Sequence, residues 1–374
     1  MQSGQEIRAL TGLRGLAACL VVLYHQVEAG SLPTLPLIGP VVARGYLSVD
    51  VFFVLSGFVM GLSSTHLFTK RPLQEAYAVF LLRRMARIYP LYFFVLILAT
   101  IQEVRHNLQH HQDIGWLQTK LPINLFPVHG LGIGERIVDT SWSIGAEFAA
   151  YLVFPLLLWL TLEKRRVMLS VILAASALIA AAYYPTSFPK SGPLDVYWVG
   201  SLWPAIRCLA EFTLGLITCR SALRLRPFFS QPLPAFAVLA ALVILSFMTG
   251  TDIAFVLFIP PFLLTLLSQD RFAARMLSSS PLLFLGEVSF AVYLCHKLLM
   301  PLHDALLARL QPSFMPASAQ IASEILFWCA LLGAAWLCHR LIEVPGRRQL
   351  RRFESRLTTS KNTAPVATKI SLSN

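Results

Sequence analysis

The fold is decided by residues 7–29, which read IRALTGLRGLAACLVVLYHQVEA. This stretch is long and apolar enough to cross a bilayer as a helix, yet it contains Arg14 and His25. At a rise of about 1.5 Å and a rotation of about 100° per residue, the two side chains lie on one face, about 16 Å apart. Because a charged side chain in a membrane helix costs about 2.5–3.5 kcal/mol or more, this pair favours a functional site. The alternative is that Arg14 reaches an interface while His25 is hydrogen-bonded in the bundle core.

The composition is that of a membrane protein with several spans. Only 13% of the 374 residues are charged and 56% are hydrophobic, with a mean hydropathy of +0.64, whereas soluble domains carry about 25% charged residues. A signal peptide cleaved after residues 27–29 is the alternative for the first helix, but His25 at the end of the apolar run argues against it. The six cysteines lack CxxC spacing, which favours buried thiols over disulfides or metal ligands: Cys19, Cys208, Cys219, Cys295, Cys329 and Cys338.

Ten apolar runs of spanning length predict an all-α, polytopic integral membrane protein with about ten transmembrane helices. Most Lys and Arg residues lie at the N-terminus, after the even-numbered runs and after the last run, so the positive-inside rule places both termini in the cytoplasm. This distribution explains the net charge of +12 without nucleic acid. We expect a transmembrane domain at 1–356 and a disordered cytoplasmic tail at 357–374. The runs are 9–29, 45–65, 88–105, 141–161, 167–184, 201–219, 233–249, 253–267, 281–302 and 320–341.

The longest outer loop, about 106–140, is rich in histidine. Its histidines lack the cysteine or carboxylate pattern of a metal site, so we expect a solvated loop and no metal. They are His106, His110, His111 and His129.

Given this topology, five ionisable residues fall in one layer of the outer third of the membrane: His25, Asp50, Glu147, Arg207 and His296. Charged groups in a bundle face inward, where they find one another. Further polar side chains share their helix faces at three- or four-residue spacing, namely Ser143, Tyr151, Trp203, Glu211, Ser289 and Tyr293. A histidine beside a carboxylate can take a proton from a hydroxyl, and neighbouring donors can stabilise an oxyanion.

A second group of charged residues falls at the inner side: Arg14, Arg84, Arg87, Arg347 and Arg348. Arginines bind phosphate through two parallel hydrogen bonds, although the positive-inside rule alone also explains those near helix ends. Anion binding inside and acid–base chemistry outside fit an enzyme that takes a phosphate-bearing donor from the cytoplasm. They also fit a proton-coupled transporter or flippase, which uses the same residue types.

Six motifs resemble those of the membrane acyltransferase-3 family, bacterial enzymes that O-acylate glycans and some small molecules. They run through nearly all ten apolar runs, in the expected order. They are Arg14-x10-His25 after Leu10-Thr11-Gly12; Asp50-Val-Phe52-Phe53-Val-Leu-Ser56-Gly57; Arg84-x-x-Arg87-Ile-Tyr-Pro90; Ser141-Trp142-Ser143-x3-Glu147-x3-Tyr151-x3-Pro155; Ser289-x3-Tyr293-x2-His296; and Glu343-x-Pro345.

The resemblance implies transfer of an acyl group, usually acetyl, from coenzyme A to a hydroxyl of a cell-surface or lipid-linked glycan, in the bacterial inner membrane. His25 would be the base or a transient acyl carrier, oriented by Asp50 or Glu147. Arg14, Arg84 and Arg87 would hold the phosphates of acetyl-CoA. The expected acceptor-binding residues are Trp142, Ser143, Tyr151, Arg207 and Tyr293.

Several alternatives stay open at this point. His296 competes with His25 as the base, although the register of His25 with Arg14 favours His25. The acceptor is a glycan such as O-antigen, exopolysaccharide or lipo-oligosaccharide, or else a macrolide-type small molecule. Some family members carry an extra C-terminal hydrolase-like domain, which we do not expect here, so a separate periplasmic transferase is a possible partner.

Overall fold

The computed structural model describes residues 7–32, 38–184, 191–197, 200–268, 271–310 and 317–359. Within these ranges the regular structure is helical throughout, which agrees with the all-α prediction. Most of the predicted tail, from 360 onward, lies outside the described residues.

Fifteen α-helices are described, together with short 3₁₀ turns at Gly45–Leu47 and His129–Leu131 and a π-helical turn at His339–Glu343. In chain order the helices are α1 (Arg8–Glu28), α2 (Gly39–Ala43), α3 (Ser48–Lys70), α4 (Leu73–Gln109), α5 (Trp116–Asn124), α6 (Ser141–Leu152), α7 (Phe154–Leu160), α8 (Lys164–Tyr183), α9 (Trp203–Phe229), α10 (Pro232–Phe247), α11 (Asp252–Leu266), α12 (Phe272–Leu277), α13 (Ser280–Leu310), α14 (Ala317–Cys338) and α15 (Val344–Thr359).

Every predicted apolar run is helical, but fewer runs qualify as spans by themselves. Among the described residues, six helices are long and apolar enough to cross a membrane, or up to eight if each of two bent pairs is one span. The α6/α7 pair bends by 62° and the α9/α10 pair by 112°. The first bend falls beside Pro155, which lacks the amide hydrogen that would continue the helix. Ten spans and cytoplasmic termini therefore stay predictions.

The basic segment 73–87 is helical, where a connection was expected. Helix α4 runs without a break over 37 residues and includes Arg83, Arg84, Arg87 and Pro90. Arginine is a good helix former, so these charges end the apolar run without ending the helix. The expected outer loop at 106–140 is likewise partly helical, since it holds the end of α4, helix α5 and a 3₁₀ turn.

Helices α1 and α13 lie backbone against backbone because glycines line their contact. A Cβ atom on Gly15 would lie only 2.6 Å from the Gly286 nitrogen, and one on Gly286 would overlap the Thr11 carbonyl. From the Gly15–Gly286 contact, His25 and His296 are each ten residues further along the chain. The two helices are parallel and in register, which brings the two histidines face to face.

Helices α3 and α9 form a second parallel pair of the same kind. A Cβ atom on Gly57 would overlap the Phe212 carbonyl, and one on Gly215 would overlap that of Val54. This close contact places Asp50, at the start of α3, beside Arg207, at the start of α9. The two glycine-lined pairs thus fix the positions of four of the five residues predicted to share one layer.

Candidate functional site

Among the described residues, two cavities hold most of the predicted site residues, and the first contains Arg14. The Arg14 cavity has a volume of about 820 Å³, counting space open to solvent, and is bordered mainly by apolar side chains of α3, α4, α6 and α13. Its polar lining is Arg14, Ser56, Arg87, Ser143, Glu147, Tyr151, Ser289 and Tyr293. A long apolar cavity with cationic groups suits an anionic ligand that has an extended, uncharged arm.

The second cavity contains His25 and is richer in charge. The His25 cavity has a volume of about 770 Å³, counting space open to solvent. Its polar lining is Tyr24, His25, Glu28, Tyr46, Asp139, Thr140, Trp142, Asp195, Tyr197, Arg207, Tyr293 and Lys297. Carboxylates together with tyrosine and tryptophan rings give the cavity both hydrogen-bonding groups and flat apolar faces.

Val49 and Tyr293 border both cavities and form a shared wall between them. The Tyr293 hydroxyl is held by the Ser143 hydroxyl at 2.6 Å. Arg14 and His25 were predicted to lie on one face of the first helix, and each lines a cavity, one on either side of this wall.

The partner of the His25 ring is another histidine. His296 Nε2 lies 3.1 Å from His25 Nδ1, and the rings are stacked with centroids 5.1 Å apart. His296 Nδ1 lies 3.3 Å from the Val292 carbonyl oxygen. Neither Asp50 nor Glu147 occupies the place beside His25 that the family resemblance assigned to one of them.

Asp50 is instead paired with Arg207. Arg207 Nε and Nη2 donate to the two Asp50 carboxylate oxygens at 2.9 and 2.5 Å. Glu211 Oε1 lies 3.5 Å from the same guanidinium, and all three side chains are at most 1% exposed. The guanidinium carbon also lies 5.9 Å from the centre of the Trp142 ring. Because both Asp50 oxygens are engaged, this carboxylate orients Arg207 and leaves His25 to other neighbours.

Glu147 belongs to the Arg14 cavity. It accepts hydrogen bonds from the Ser56 hydroxyl and from the Tyr151 hydroxyl, the latter at 2.5 Å. The predicted layer of five ionisable residues is therefore divided into a histidine pair, an ion cluster and a separate carboxylate. Sequence depth placed these residues at similar heights but did not show which helices are neighbours.

The predicted phosphate-binding arginines do not all line the same cavity. Arg14 Nη2 donates to the Ser289 hydroxyl at 3.2 Å, and Arg87 lines the same cavity. Arg84 is only 8% exposed, lies 5.8 Å from the Phe80 ring centre and is not among the described residues that line the cavity.

Helix α15 packs along the basic N-terminal half of α4. Arg83 donates two hydrogen bonds to the Glu354 carboxylate, at 3.0 and 2.5 Å. A Cβ atom on Gly346 would lie 2.5 Å from Pro90. The arginines of α15 are therefore held next to the segment of α4 that carries Arg87.

Several residues of the His25 cavity were missed from the sequence. Lys297 Nζ lies 3.4 Å from Asp139, and the Tyr24 hydroxyl donates to Asp195 at 3.3 Å. Burial raises the pKa of the Asp195 carboxyl, and hydrogen bonds from the Ser191 amide and Tyr24 oppose this shift. A lysine directly after His296 in an apolar run was a usable signal, whereas the irregular segment carrying Asp195 offered none.

The outer histidines do not cluster around a metal site. Within the part of the chain that is described, no three His, Cys, Asp or Glu side chains are grouped so as to hold a metal ion. His129 is buried and lies 3.3 Å from the Ser141 hydroxyl. Its burial, and to a lesser degree Arg136, lowers the pKa of the imidazole to about 4.

A family model described as an acyltransferase domain, Acyl_transf_3, matches residues 7–339. The chain belongs to the acyltransferase-3 family. Among its relatives, "Acyltransferase MdmB" of Streptomyces mycarofaciens is 29% identical, over 93% of both chains. "Peptidoglycan O-acetyltransferase OatA" of Listeria monocytogenes is 24% identical over 92% of this chain, which spans only 56% of OatA.

A third relative, the "Putative membrane-bound transacylase BcsY" of Komagataeibacter xylinus, is 30% identical over 51% of this chain and 48% of its own. No solved structure matches the chain. Family membership and these relatives identify the protein as an O-acyltransferase with helices suited to a membrane. An acyltransferase needs an acyl donor and an acceptor.

Proposed function

We propose that this acyltransferase moves an acetyl group from acetyl-CoA, bound in the Arg14 cavity, to a hydroxyl of a glycan bound in the His25 cavity. The observation that carries the proposal is the shared wall of Val49 and Tyr293, on either side of which Arg14 and His25 line separate cavities. Such a wall keeps donor and acceptor apart except where the acyl group passes between them.

The Arg14 cavity has the character that coenzyme A requires. Arg14 and Arg87 supply guanidinium groups for phosphate, and Arg347 and Arg348 on the fastened helix α15 extend this basic surface. The uncharged arm of the donor would lie among the apolar side chains between these arginines and the wall. The positive-inside rule places this end of the bundle in the cytoplasm, where acyl-CoA is found.

The His25 cavity suits a polyhydroxylated acceptor. Trp142, Arg207 and Tyr293 line it, as predicted for acceptor-binding residues, whereas Tyr151 lines the donor cavity and Ser143 lies at the wall. Aromatic rings can pack on sugar faces while Glu28 and Asp195 accept hydrogen bonds from hydroxyls. The printed name of OatA, a peptidoglycan O-acetyltransferase, supports a glycan.

The reaction needs a base on the acceptor side. His25 takes the proton of the acceptor hydroxyl as its oxygen attacks the thioester carbonyl carbon. The carbon–oxygen bond forms, the carbon–sulfur bond breaks, and the thiolate of coenzyme A leaves with the electron pair. Lys297, near the histidine pair, and the Tyr293 and Ser143 hydroxyls at the wall are placed to stabilise developing negative charge.

The test uses purified protein in lipid vesicles with radiolabelled acetyl-CoA and a panel of acceptors: peptidoglycan fragments, lipid-linked glycans and a macrolide. Arg14→Ala and His25→Ala are each paired with a matched control, Arg8→Ala on the same helix and His66→Ala on α3. Neither control residue is among the described residues that line the two cavities.

We expect label in a glycan with the wild type and both controls, and none with Arg14→Ala or His25→Ala. Label in the macrolide alone would replace the glycan by a small-molecule acceptor. Label only after a periplasmic partner protein is added would indicate relayed transfer. Activity of His25→Ala equal to that of the wild type would contradict the proposed base, and acceptor transport without acyl transfer would favour a transporter.

A further inference from the structure

We propose that His296 is a positioning residue that fixes the tautomer of His25, so that His25 Nε2 is the atom that takes the proton from the acceptor. This inference rests on the proposed function and adds a specific role for a residue that does not touch the substrate. The carrying observation is a chain of three groups: the Val292 carbonyl, the His296 ring and the His25 ring.

The Val292 carbonyl fixes the donors in this series of three groups, because a backbone carbonyl can only accept a hydrogen bond. His296 Nδ1 lies 3.3 Å from the Val292 oxygen, so Nδ1 must carry the hydrogen. A neutral imidazole has one N–H and one lone pair. His296 Nε2 is therefore the lone-pair nitrogen, and it can accept a hydrogen bond but cannot donate one.

The same reasoning applies to the His25 ring. His25 Nδ1 lies 3.1 Å from His296 Nε2, and since the latter only accepts, His25 Nδ1 must carry the hydrogen. The Val21 carbonyl, four residues before His25 as Val292 is before His296, also hydrogen-bonds the His25 ring. The contact with His296 thus favours an N–H at His25 Nδ1, which leaves a lone pair on Nε2.

Burial distinguishes the roles of the two histidines. His296 is fully buried and is not among the described residues that line either cavity, whereas His25 lines the His25 cavity. A group that substrate cannot reach does not exchange a proton with it directly. The choice between two candidate bases, open from the sequence, therefore favours His25, with His296 behind it.

The neighbours of the pair match this division. Lys297 interacts electrostatically with both rings and is itself paired with Asp139. Asp50, Glu147 and Glu211 are held by other partners. In a Ser-His-Asp triad the carboxylate holds the reactive imidazole in one tautomer and orientation. Here a second, neutral histidine has that role.

The test compares three substitutions of His296 in the full chain in lipid vesicles. His296→Gln places an amide oxygen, a hydrogen-bond acceptor, near the former Nε2 position. His296→Asn has the same chemistry on a shorter side chain that does not reach His25, and His296→Leu is apolar. The tautomer argument predicts that only the glutamine variant keeps an acceptor for His25 Nδ1–H.

We expect His296→Gln to retain kcat within about tenfold of the wild type, and His296→Asn and His296→Leu to lose about 10²–10⁴-fold. The KM for acetyl-CoA should stay unchanged in all three, since the Arg14 cavity is not altered. Equal kcat in the asparagine and glutamine variants, or a glutamine variant as slow as the leucine variant, would overturn the inference.

A second readout does not depend on activity. In protein labelled with ¹⁵N in its nine histidine rings, solid-state NMR at about pH 8, where an ordinary histidine is neutral, reports which ring nitrogen carries hydrogen. The signals lost in His25→Asn identify His25. Protonated Nδ1 and bare Nε2 support the inference and the reverse pattern overturns it, even if no acceptor is acetylated and the proposed function fails.

Discussion

The helix pairs α1/α13 and α3/α9 both pack through glycines, but the polar side chains that they bring together differ in kind. In both, parallel helices approach closely over glycines and bring ionisable side chains together near one end. On α3/α9 the result is an ion cluster of Asp50, Arg207 and Glu211, whose side chains are at most 1% exposed. On α1/α13 it is a histidine pair, one member of which opens onto a cavity.

The difference separates a structural cluster from a reactive one. A buried ion cluster holds two helices in one register and commits most of its polar groups to its own members, although Arg207 also borders the His25 cavity. A hydrogen-bonded histidine with one nitrogen facing a cavity keeps a group available for chemistry. Four predictions test whether this division is correct, in order of decreasing expected effect.

The largest effect should come from breaking the ion cluster. Arg207→Leu leaves Asp50 and Glu211 buried without a cation, and removal of one partner of a buried pair costs about 3–5 kcal/mol. We expect little folded protein after detergent extraction and size-exclusion chromatography. His25→Asn, the matched change on the other helix pair, should give wild-type yield and thermal stability. Equal yields of the two variants would remove the distinction.

The next effect concerns the glycines. Gly15→Ala and Gly57→Ala each place a Cβ atom against the backbone of the neighbouring helix, so both helix pairs must separate. We expect Gly57→Ala to lower the melting temperature strongly, and Gly15→Ala to lower kcat more than tenfold because the His25–His296 contact lengthens. The control is Gly333→Ala on α14, where nothing lies within 4 Å of the added atom.

The two arginines that the sequence grouped together should differ. Arg87→Ala removes a guanidinium from the Arg14 cavity, and we expect the KM for acetyl-CoA to rise tenfold or more, with little change in melting temperature. Arg84→Ala removes a buried side chain packed near Phe80, so we expect lower thermal stability and a near-normal KM. Equal increases of the KM for acetyl-CoA in both variants would instead support the sequence-based prediction that Arg84 and Arg87 both bind the donor.

The smallest effect is the pH dependence at His129. Its pKa is lowered to about 4 in the folded protein, mainly by burial, against about 6.5 in the unfolded chain. The unfolded state therefore binds the proton first, and stability is lost as pH falls from 6.5 towards 4. The melting temperature of His129→Asn should fall less over this range than that of the wild type, as measured by differential scanning fluorimetry.

Sequence reasoning worked where a property depends on one helix. The apolar runs located the helices, and the spacing of Arg14 and His25 placed both on one face, where each lines a cavity. Hydropathy was less informative about helix ends. The arginines of α4 lie outside the apolar run, yet the helix continues through them. The same reasoning placed Arg84 and Arg87 together although only Arg87 lines the Arg14 cavity.

Reasoning from the sequence could not identify which side chains meet across helices. His25 was expected beside a carboxylate because all five ionisable residues lie at similar depth. The actual partners follow from helix neighbours, and these are set by backbone contacts at Gly15, Gly57 and Gly286. Glycines in apolar runs are common, and nothing in their spacing states which helix fills the space that each one leaves.

The shared wall of Val49 and Tyr293 also has an electrical consequence. In the proposed reaction this wall is the low-dielectric path between donor and acceptor, so we expect a membrane potential to fall mainly across it. A unit charge that crosses 100 mV exchanges about 2.3 kcal/mol with the field. In the proposed reaction the thiolate keeps the electron pair on the donor side and His25 takes the proton on the acceptor side. Each transfer therefore moves the equivalent of one positive charge across the wall, and we expect the voltage to shift the transfer equilibrium until that proton returns to the donor side.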